Sequence, residues 1–197
     1  MIREMRESDI PAVVDLYSAF MFDSFLSRLG KDFLRQAFEG IIKSKHGISY
    51  VWTENSAVGG FIVSATDSPA LFREVFRKRI AALSKAAILA AIKDPALMLK
   101  LAESFLYFKR TELKGIKAEL LFISIDQANR GKGVARELIA RTFLELRRKL
   151  ISKAKVTTQK NNSAVNRLLQ GLGFNPSASF YFYGKESLLY EITVPDK

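Results

Sequence analysis

The sequence contains no cysteine and only one histidine, His46, among its 197 residues. Without thiols the protein cannot form disulfide bridges, thiolate zinc sites or iron–sulfur clusters, and it cannot use a catalytic cysteine. A metal bound by histidines would need partners that the chain lacks, and a Ser-His-Asp triad could use only His46. We therefore expect no metal site, and we assign His46 to a surface turn.

The sequence also lacks a long apolar run. The longest one, residues 80–92, is interrupted by Lys85 and is too short to span a bilayer. The first ten residues alternate charged and apolar side chains and contain no apolar stretch of the signal-peptide type. We therefore expect a cytoplasmic protein.

Acidic residues are scarce relative to basic ones. The chain has 31 lysines and arginines against 20 aspartates and glutamates, which gives a net charge of +11 and a pI near 9.9. Residues 67–117 hold 11 basic and 5 acidic residues and so contribute +6 of this excess from about a quarter of the length. This balance favours anionic partners, namely phosphates, nucleic acid, acidic lipid or acidic glycans, and does not choose among them.

Apolar periodicity predicts strands and helices in a mixed order. Strands are expected at residues 1–6, 48–53, 57–65, 118–125, 155–159, 179–183 and 187–194. Helices are expected from an N-cap at Ser8, over 31–43, over 134–150, and from 162 to a terminating Gly173. The order indicates one α/β domain over residues 1–197, with a single mixed sheet flanked by helices. Within it, residues 67–117 are expected to form an insertion of two or three helices, broken near residue 94.

A strongly β-prone strand that ends at residue 125 leads through Arg130-Gly131-Lys132-Gly133-Val134-Ala135 into a helix. Two glycines allow a tight turn and the close approach of a ligand, while successive N–H groups and a helix N-terminus attract a diphosphate. The alternative is a plain strand-to-helix turn that happens to contain two glycines. The spacing fits neither a Walker loop nor a dinucleotide fingerprint, because the required Ser or Thr and the required acidic residue are missing.

This stretch resembles the core motif of the GCN5-related N-acetyltransferase (GNAT) superfamily, Arg/Gln-x-x-Gly-x-Gly/Ala, with Arg130, Gly133 and Ala135 at its fixed positions. Residues 162–174, which end in Gly-Phe, resemble the late helix of the same superfamily. Residues 23–34 resemble more weakly a subgroup met near polysaccharide and amino-sugar biosynthesis. The resemblance implies a GNAT-like, mostly antiparallel sheet.

The resemblance also implies an acyl-coenzyme A co-substrate, usually acetyl-CoA, and no metal. The amides that would hold its diphosphate are those of Arg130, Gly131, Lys132, Gly133, Val134 and Ala135. The backbone of Phe122, Ile123 and Ser124 would pair with the pantetheine arm like an added strand, and Asn162 would hydrogen-bond to the arm. The implied reaction is attack of an acceptor amine on the thioester.

An acid and a base would assist this reaction, because a lysine-like amine with a pKa near 10.4 is protonated at pH 7. In some members of the superfamily a glutamate at the position of Glu119 is the general base; the alternative is a strand-end charge or a salt-bridge partner. The usual acid is a tyrosine four residues before the Gly-Phe pair. Leu169 replaces it here, and its side chain faces either the core or the thioester. Tyr181 or Tyr183 could supply the acid from the next strand, and we select Glu119 and Tyr183 as the catalytic residues.

Several acceptors stay open, namely amino sugars, peptide N-termini, lysine side chains and polyamines. The predicted function is transfer of an acetyl group from coenzyme A to a primary amine of a small or anionic acceptor, such as an amino sugar. The alternative is a non-catalytic acyl-CoA-binding or nucleic-acid-binding regulatory module. Against nucleic acid, the aromatic residues fall at core spacing rather than among lysines and arginines.

The basic segment 67–117 has three interpretations. It could be a hairpin packed on the sheet with a solvated basic rim. It could be a wall or lid that draws in an anionic acceptor, such as a nucleotide-linked amino sugar, by salt-sensitive attraction. It could also contact an anionic membrane surface.

Overall fold

A computed structural model describes residues 1–21 and 24–195. Its strands are β1 (Ile2–Glu4), β2 (Gly47–Glu54), β3 (Ala57–Ala65), β4 (Glu119–Ile125), β5 (Lys153–Gln159), β6 (Asn175–Phe182) and β7 (Lys185–Thr193). Its helices are α1 (Ile10–Phe20), α2 (Phe25–Arg28), α3 (Lys31–Ile42), α4 (Ser68–Lys93), α5 (Ala96–Arg110), α6 (Val134–Arg148) and α7 (Ser163–Gln170). Phe22 and Asp23, which precede α2, lie outside the described residues.

The strands form one seven-stranded sheet in the order β1-β2-β3-β4-β5-β7-β6. Every neighbouring pair is antiparallel except β4 and β5, which are parallel. The expected fold class, a mixed and mostly antiparallel sheet flanked by helices, is confirmed. The parallel pair is reached through α6, as a parallel connection requires a crossover.

Successive side chains of the central strands point alternately into two hydrophobic cores, one on each face of the sheet. Phe61 and Val63 of β3 pack with Tyr17 and Phe38 from α1 and α3. Ile62, between them in sequence, packs on the opposite face with the helices α6 and α7. The site described below lies between strands that both cores hold in place.

The N-terminal helix starts differently from the sequence expectation. Ser8 lies inside a short 3-10 turn, Glu7–Asp9, and is not the N-cap. Asp9 holds this turn instead. Its carboxylate accepts from the backbone N–H of Arg6 at 2.8 Å and pairs with the two terminal guanidinium nitrogens of Arg3 at 2.6 and 2.8 Å. Asp9 is favoured because its carboxylate forms a bidentate, charge-assisted pair with Arg3 on β1, which a single hydroxyl cannot form.

The predicted insertion consists of two helices, α4 and α5, separated at Asp94-Pro95. Asp67 caps α4 by accepting from the Ala70 N–H at 2.9 Å. The first half of α4 packs closely on α3, where a Cβ added to Gly40 would stand 2.8 Å from Val75 Cγ1. The helix is kinked at Arg79 (φ −125°, ψ 19°), whose guanidinium pairs with Glu39 of α3 at 2.7 Å. None of the helices in the described ranges is long and apolar enough to cross a membrane.

The C-terminal part departs from the expectation at two boundaries. The helix α7 ends at Gln170, and Gly173 (φ +87°) lies in the following turn rather than directly after the helix. The strand β6 begins at Asn175, earlier than the expected residue 179, and its first residues are exposed. They lack the alternation that predicts a strand, and Pro176 is tolerated there because β6 is an edge strand with a register shift after Pro176.

We expect Asp9→Asn to lower the free energy of unfolding by about 1.5–3 kcal/mol at pH 7, because it removes a buried charge-assisted pair. The hydrogen bond from Arg3 lowers the pKa of Asp9. Its stabilisation is therefore present above the unfolded-state pKa near 3.9 and is lost as the pH falls through the lower folded-state value. Denaturant titrations at neutral and strongly acidic pH measure this difference.

Asp15→Asn is the matched control, because Asp15 forms an exposed ion pair with Lys31 at 2.6 Å. Its cost should stay below about 1 kcal/mol. Equal losses for the two variants would show that the Arg3–Asp9 pair has no special role.

Candidate functional site

A gap opens between the parallel strands β4 and β5 shortly after they begin. The two strands pair at Glu119–Lys155 and Leu120–Val156 only. Beyond this point β5 stays paired with β7 along its whole length and so leaves β4. Opposite the start of the gap, the β3–β4 register shifts so that Leu121 forms a bulge.

The gap leaves one side of β4 without a strand partner over residues 121–125, within the described part of the chain. Backbone N–H and C=O groups in such a position need partners. An extended ligand with its own amide groups can supply them in the manner of an added strand. Phe122, Ile123 and Ser124, predicted from the sequence to pair with a pantetheine arm, lie on this stretch.

The loop at the end of β4 has the geometry of an anion cradle. After a 3-10 turn, Gln127–Asn129, the chain passes through Gly131 (φ +76°) and Gly133 (φ +81°), and Gly133 is the N-cap of α6. Apart from the glycine itself and the adjoining backbone, no described atom lies within 4 Å of the position that a Cβ would take at either glycine. The first N–H groups of a helix lack intrahelical partners and carry a partial positive charge. The predicted residues Arg130 to Ala135 thus form an open loop that can accept a diphosphate.

Two side chains of the cradle make contacts that the sequence did not predict. The Arg130 Nε donates to the Ile125 carbonyl at 3.1 Å, and its guanidinium lies 4.4 Å from the centre of the Phe20 ring. Lys132 Nζ donates to Asn129 Oδ1 at 3.3 Å. Arg130 therefore ties the cradle to the end of α1, and its backbone N–H closes the preceding turn by donating to the Gln127 carbonyl at 3.3 Å. The predicted contribution of the Arg130 amide to diphosphate binding would need this bond to open.

Asn162 is exposed and caps α7, where its Oδ1 accepts from the Val165 N–H at 3.3 Å. A hydrogen bond from Asn162 to a pantetheine arm would therefore use its Nδ2 donor, and this role stays a prediction. Leu169, on the same helix, is 2% exposed and belongs to the core beneath the sheet, with Leu138 and Phe174. Of the two orientations open to Leu169, the structure shows the core-facing one.

Glu119, the predicted base, is buried at the point where the gap begins. Its side chain is 1% exposed, and its Oε1 accepts from the Tyr107 hydroxyl at 2.5 Å. The Lys155 ammonium lies 3.8 Å from Oε2 and donates to the Thr111 carbonyl at 2.6 Å. The Tyr107 hydroxyl also lies 3.1 Å from Thr157 Oγ1. Glu119 is therefore not a solvated strand-end charge; it has a cation beside it and a phenol bound to it.

The Glu119 Oε2 atom is a buried acceptor with no hydrogen-bond partner among the described residues. Buried polar atoms are nearly always satisfied, so an orphaned one indicates a bound water or ligand group. This atom can accept a proton, directly or through one water.

Tyr107 is a member of the site that the sequence did not predict. It lies on α5, in the inserted hairpin, where its spacing marks it only as one more apolar residue of a helix. Burial, and then the neighbouring Glu119 carboxylate, raise the pKa of Tyr107 well above its usual value. The phenol is therefore a neutral donor at pH 7. Lys155 carried a usable signal, because a lysine at an inward position of a buried strand needs an anionic partner.

Tyr183, the predicted acid, lies in the β6–β7 turn with a left-handed backbone (φ +52°) and its ring 5.0 Å from that of Phe25. It contributes to the raised pKa of Tyr107 and of Tyr17; for Tyr17 the main cause is burial, and the pKa is about 12. Of these phenols, Tyr107 hydrogen-bonds to Glu119, and the Tyr17 ring lies 5.4 Å from that of Phe122 on β4. Tyr181, the alternative acid, is 68% exposed.

No metal site accompanies these groups within residues 1–21 and 24–195, where no three His, Cys or acidic side chains come together as ligands. His46 lies half-buried in the turn before β2, where its backbone N–H donates to Ser44 Oγ at 3.2 Å. The groups that this site offers are therefore backbone amides, one carboxylate, one ammonium and three phenols.

No protein-family model matches the sequence. No curated protein matches it either. Many solved structures share its fold. An N-acetyltransferase of Staphylococcus aureus has a TM-score of 0.63 at 18% identity, over 99% of this chain and 98% of that one.

Two further structures agree with this result. A Desulfovibrio desulfuricans protein assigned to the GNAT family has a TM-score of 0.65 at 14% identity, over 99% of each chain. A Salmonella typhimurium protein solved with acetyl-CoA has a TM-score of 0.63 at 15% identity, over 100% of this chain and 95% of that one. The chain has the GNAT fold, as the resemblance of its motifs predicted.

We expect Gly133→Glu to weaken acetyl-CoA binding, measured by calorimetry, by at least about tenfold. The substitution places a negative charge in the cradle, at a backbone angle that L-residues rarely adopt. Gly115→Glu is the matched control: Gly115 has φ +79° and equally open surroundings but precedes β4, at the opposite end of that strand from the cradle. A folded Gly133→Glu protein with unchanged affinity would refute the cradle assignment.

We expect Leu169→Tyr to lower the stability by about 1–3 kcal/mol through overpacking and to leave kcat no higher. The melting temperature and the steady-state rate measure the two effects. Leu168→Tyr, at the half-buried neighbouring position, should cost less. A rate gain in Leu169→Tyr without a loss of stability would show that the side chain reaches the gap.

Proposed function

We propose that the protein is an acyl-CoA-dependent N-acyltransferase that moves an acetyl group from coenzyme A to a primary amine. One observation carries the proposal: β4, which has no strand partner on its β5 side after Leu120, ends at Ile125 and leads within a few residues into the anion cradle of Arg130 to Ala135. A ligand with a diphosphate at one end and amides along an extended arm satisfies both features.

The residues present would hold acetyl-CoA in three places. The amides of the cradle would bind the diphosphate, and the free side of Phe122 to Ser124 would pair with the pantetheine amides. Asn162 would donate to the arm from across the gap. The bound thioester supplies an activated carbonyl carbon.

In the proposed reaction the amine nitrogen attacks that carbon, an amide bond forms, and the carbon–sulfur bond breaks. The amine must first lose a proton, and holding a lysine-like amine neutral at pH 7 costs about 4.6 kcal/mol. We assign the proton to Glu119, whose Oε2 is the unsatisfied acceptor at the head of the gap. Tyr107 is a positioning residue, because its 2.5 Å hydrogen bond fixes Oε1 and leaves Oε2 as the acceptor with no hydrogen bond from the described residues.

The second proton step is the return of a proton to the coenzyme A sulfur. Leu169 cannot supply it, so we assign it to Tyr183, whose backbone N–H donates to Glu103 at 3.1 Å, one helical turn before Tyr107 on α5. A thiolate with a pKa near 8.5 can leave without full protonation. Removal of the Tyr183 hydroxyl should therefore cost less activity than removal of the Glu119 carboxylate.

The acceptor is a primary amine on a small or anionic molecule, with an amino sugar as the specific candidate. The net charge of +11 supports an anionic acceptor, because it attracts anions over long range. Among structures with this fold, one from Brucella melitensis is a ribosomal-protein-alanine N-acetyltransferase, so a peptide N-terminus is the competing acceptor. Turnover of acetyl-CoA with a panel of amino sugars, peptides and polyamines separates the two.

A second candidate function is a non-catalytic acyl-CoA-binding module. The buried Leu169 favours it, because no hydroxyl stands at the usual acid position. The module would bind acetyl-CoA with the same affinity but would produce no free thiol with any amine. The same panel, followed with a thiol reagent, therefore decides between the candidates.

We expect Glu119→Gln to lower kcat by about a hundredfold or more and to leave acetyl-CoA affinity nearly intact. The loss should shrink at high pH, because the acceptor amine then deprotonates without help. Tyr107→Phe keeps the carboxylate and should cost less in kcat. Rates over a range of pH, with melting temperatures to confirm folding, test this; a Glu119→Gln protein as fast as wild type at pH 7 would assign the base elsewhere.

A further inference from the structure

The second half of α4 has apolar residues on two opposite sides. On the inner side Leu83 is 3% exposed, and alanines at 86, 87 and 90 pack against the core. On the outer side Ile88, Leu89 and Ile92 are 59%, 54% and 73% exposed. The three outer residues follow the spacing of one helix face, and we call them, with Lys85, the outer face of α4. Its apolar surface has no partner among the described residues.

The charge around the outer face has a single sign. Residues 75–93 contain five lysines and arginines and no acidic residue. Lys78 and Arg79 pair with Glu74 and Glu39, whereas the exposed Arg77 and Lys85 take part in no ion pair within the described residues. The outer face therefore combines exposed isoleucines and leucine with uncompensated positive charge.

We propose that the outer face of α4 docks on the surface of an anionic lipid bilayer, with the helix lying in the plane of the interface. A helix face with this combination buries its apolar residues at the boundary between headgroups and acyl chains, while its cations contact anionic headgroups. Lys85, between the apolar residues and the kink, can extend its ammonium to the headgroups while its stem stays apolar. The helix does not cross the membrane.

Charge complementarity selects this occupant over the alternatives. A second copy would bring two basic faces together, and like charges across an interface oppose association. Nucleic acid would match the charge, but its bases stack on aromatic side chains. The outer face presents two isoleucines and a leucine instead. An anionic bilayer satisfies both the charge and the apolar side chains.

Sedimentation of the full chain with vesicles tests the proposal. We expect binding to vesicles of phosphatidylcholine mixed with phosphatidylglycerol, and little binding to pure phosphatidylcholine. Added salt should weaken the binding without abolishing it, because salt screens the charges but not the apolar contact. No binding to the mixed vesicles, or equal binding to both kinds, overturns the proposal.

Matched variants locate the contact. The double variant Ile88→Gln/Ile92→Gln should lower vesicle binding by at least about tenfold, because it removes two apolar side chains that the bilayer would bury. Leu144→Gln/Leu150→Gln, which changes two exposed leucines at the end of α6 and just after it, should leave vesicle binding unchanged. Lys85→Gln should lower the affinity about fivefold, as expected for one basic residue near an anionic surface, and Lys153→Gln should not.

Two further measurements distinguish docking on lipid from misfolding and from self-association. Acetyl-CoA affinity and melting temperature should be the same in all these variants, so a failure of docking leaves the proposed enzymatic function untouched. Sedimentation velocity without lipid should show one concentration-independent species. Self-association that the Ile88→Gln/Ile92→Gln variant abolishes would assign the face to a second copy and overturn the proposal. Equal loss of vesicle binding in the α6 control would also overturn it.

Discussion

The divergence of β4 and β5 is the constraint on which the rest of the site depends. A parallel pair normally continues for the length of both strands, but here it stops after Leu120 while β5 follows β7. Both cores hold this arrangement, because β3 fixes β4 from one side and β7 fixes β5 from the other. It leaves residues 121–125 of β4 without a strand partner on one side. In the proposed function, the amides of acetyl-CoA pair with this side of β4.

The buried charges lie where this divergence begins. A carboxylate with 1% exposure is costly unless it is paired, and Glu119 has Lys155 and Tyr107 as partners. Glu119 and Lys155 face each other across β4 and β5 at the position just before the last paired one, so they stabilise the point at which the strands part. Glu119 is also the residue whose Oε2 has no hydrogen-bond partner among the described residues. The structural role of Glu119 and the chemical role that we propose for it therefore depend on the same side chain.

The inserted hairpin contributes to two distant features. Its second helix, α5, carries Tyr107, which hydrogen-bonds to Glu119, and its first helix, α4, carries the outer face. The hairpin is anchored between them by the Arg28–Asp94 pair and by the buried Leu83 and Leu97. Helices added to a sheet need a partner for their apolar side, and here the inner side has one.

The sequence by itself determined the order of strands and helices, the two-helix break near Asp94 and the glycine turn at Gly131 and Gly133 that leads into α6. These features are local: apolar spacing, turn residues and glycine freedom act over a few neighbours along the chain. Boundaries such as the start of β6 were missed because an edge strand next to a proline has no alternation.

Only the tertiary structure decided which groups meet. The contact of Tyr107 with Glu119 depends on how the helix α5 packs against the rest of the protein. No local sequence pattern encodes that distance. The orientation of Leu169 was open for the same reason, since one helical position can face the core or a ligand until its neighbours are placed. The point at which β4 leaves β5 likewise depends on the pairing of β5 with β7, a strand that follows it by some 30 residues in sequence.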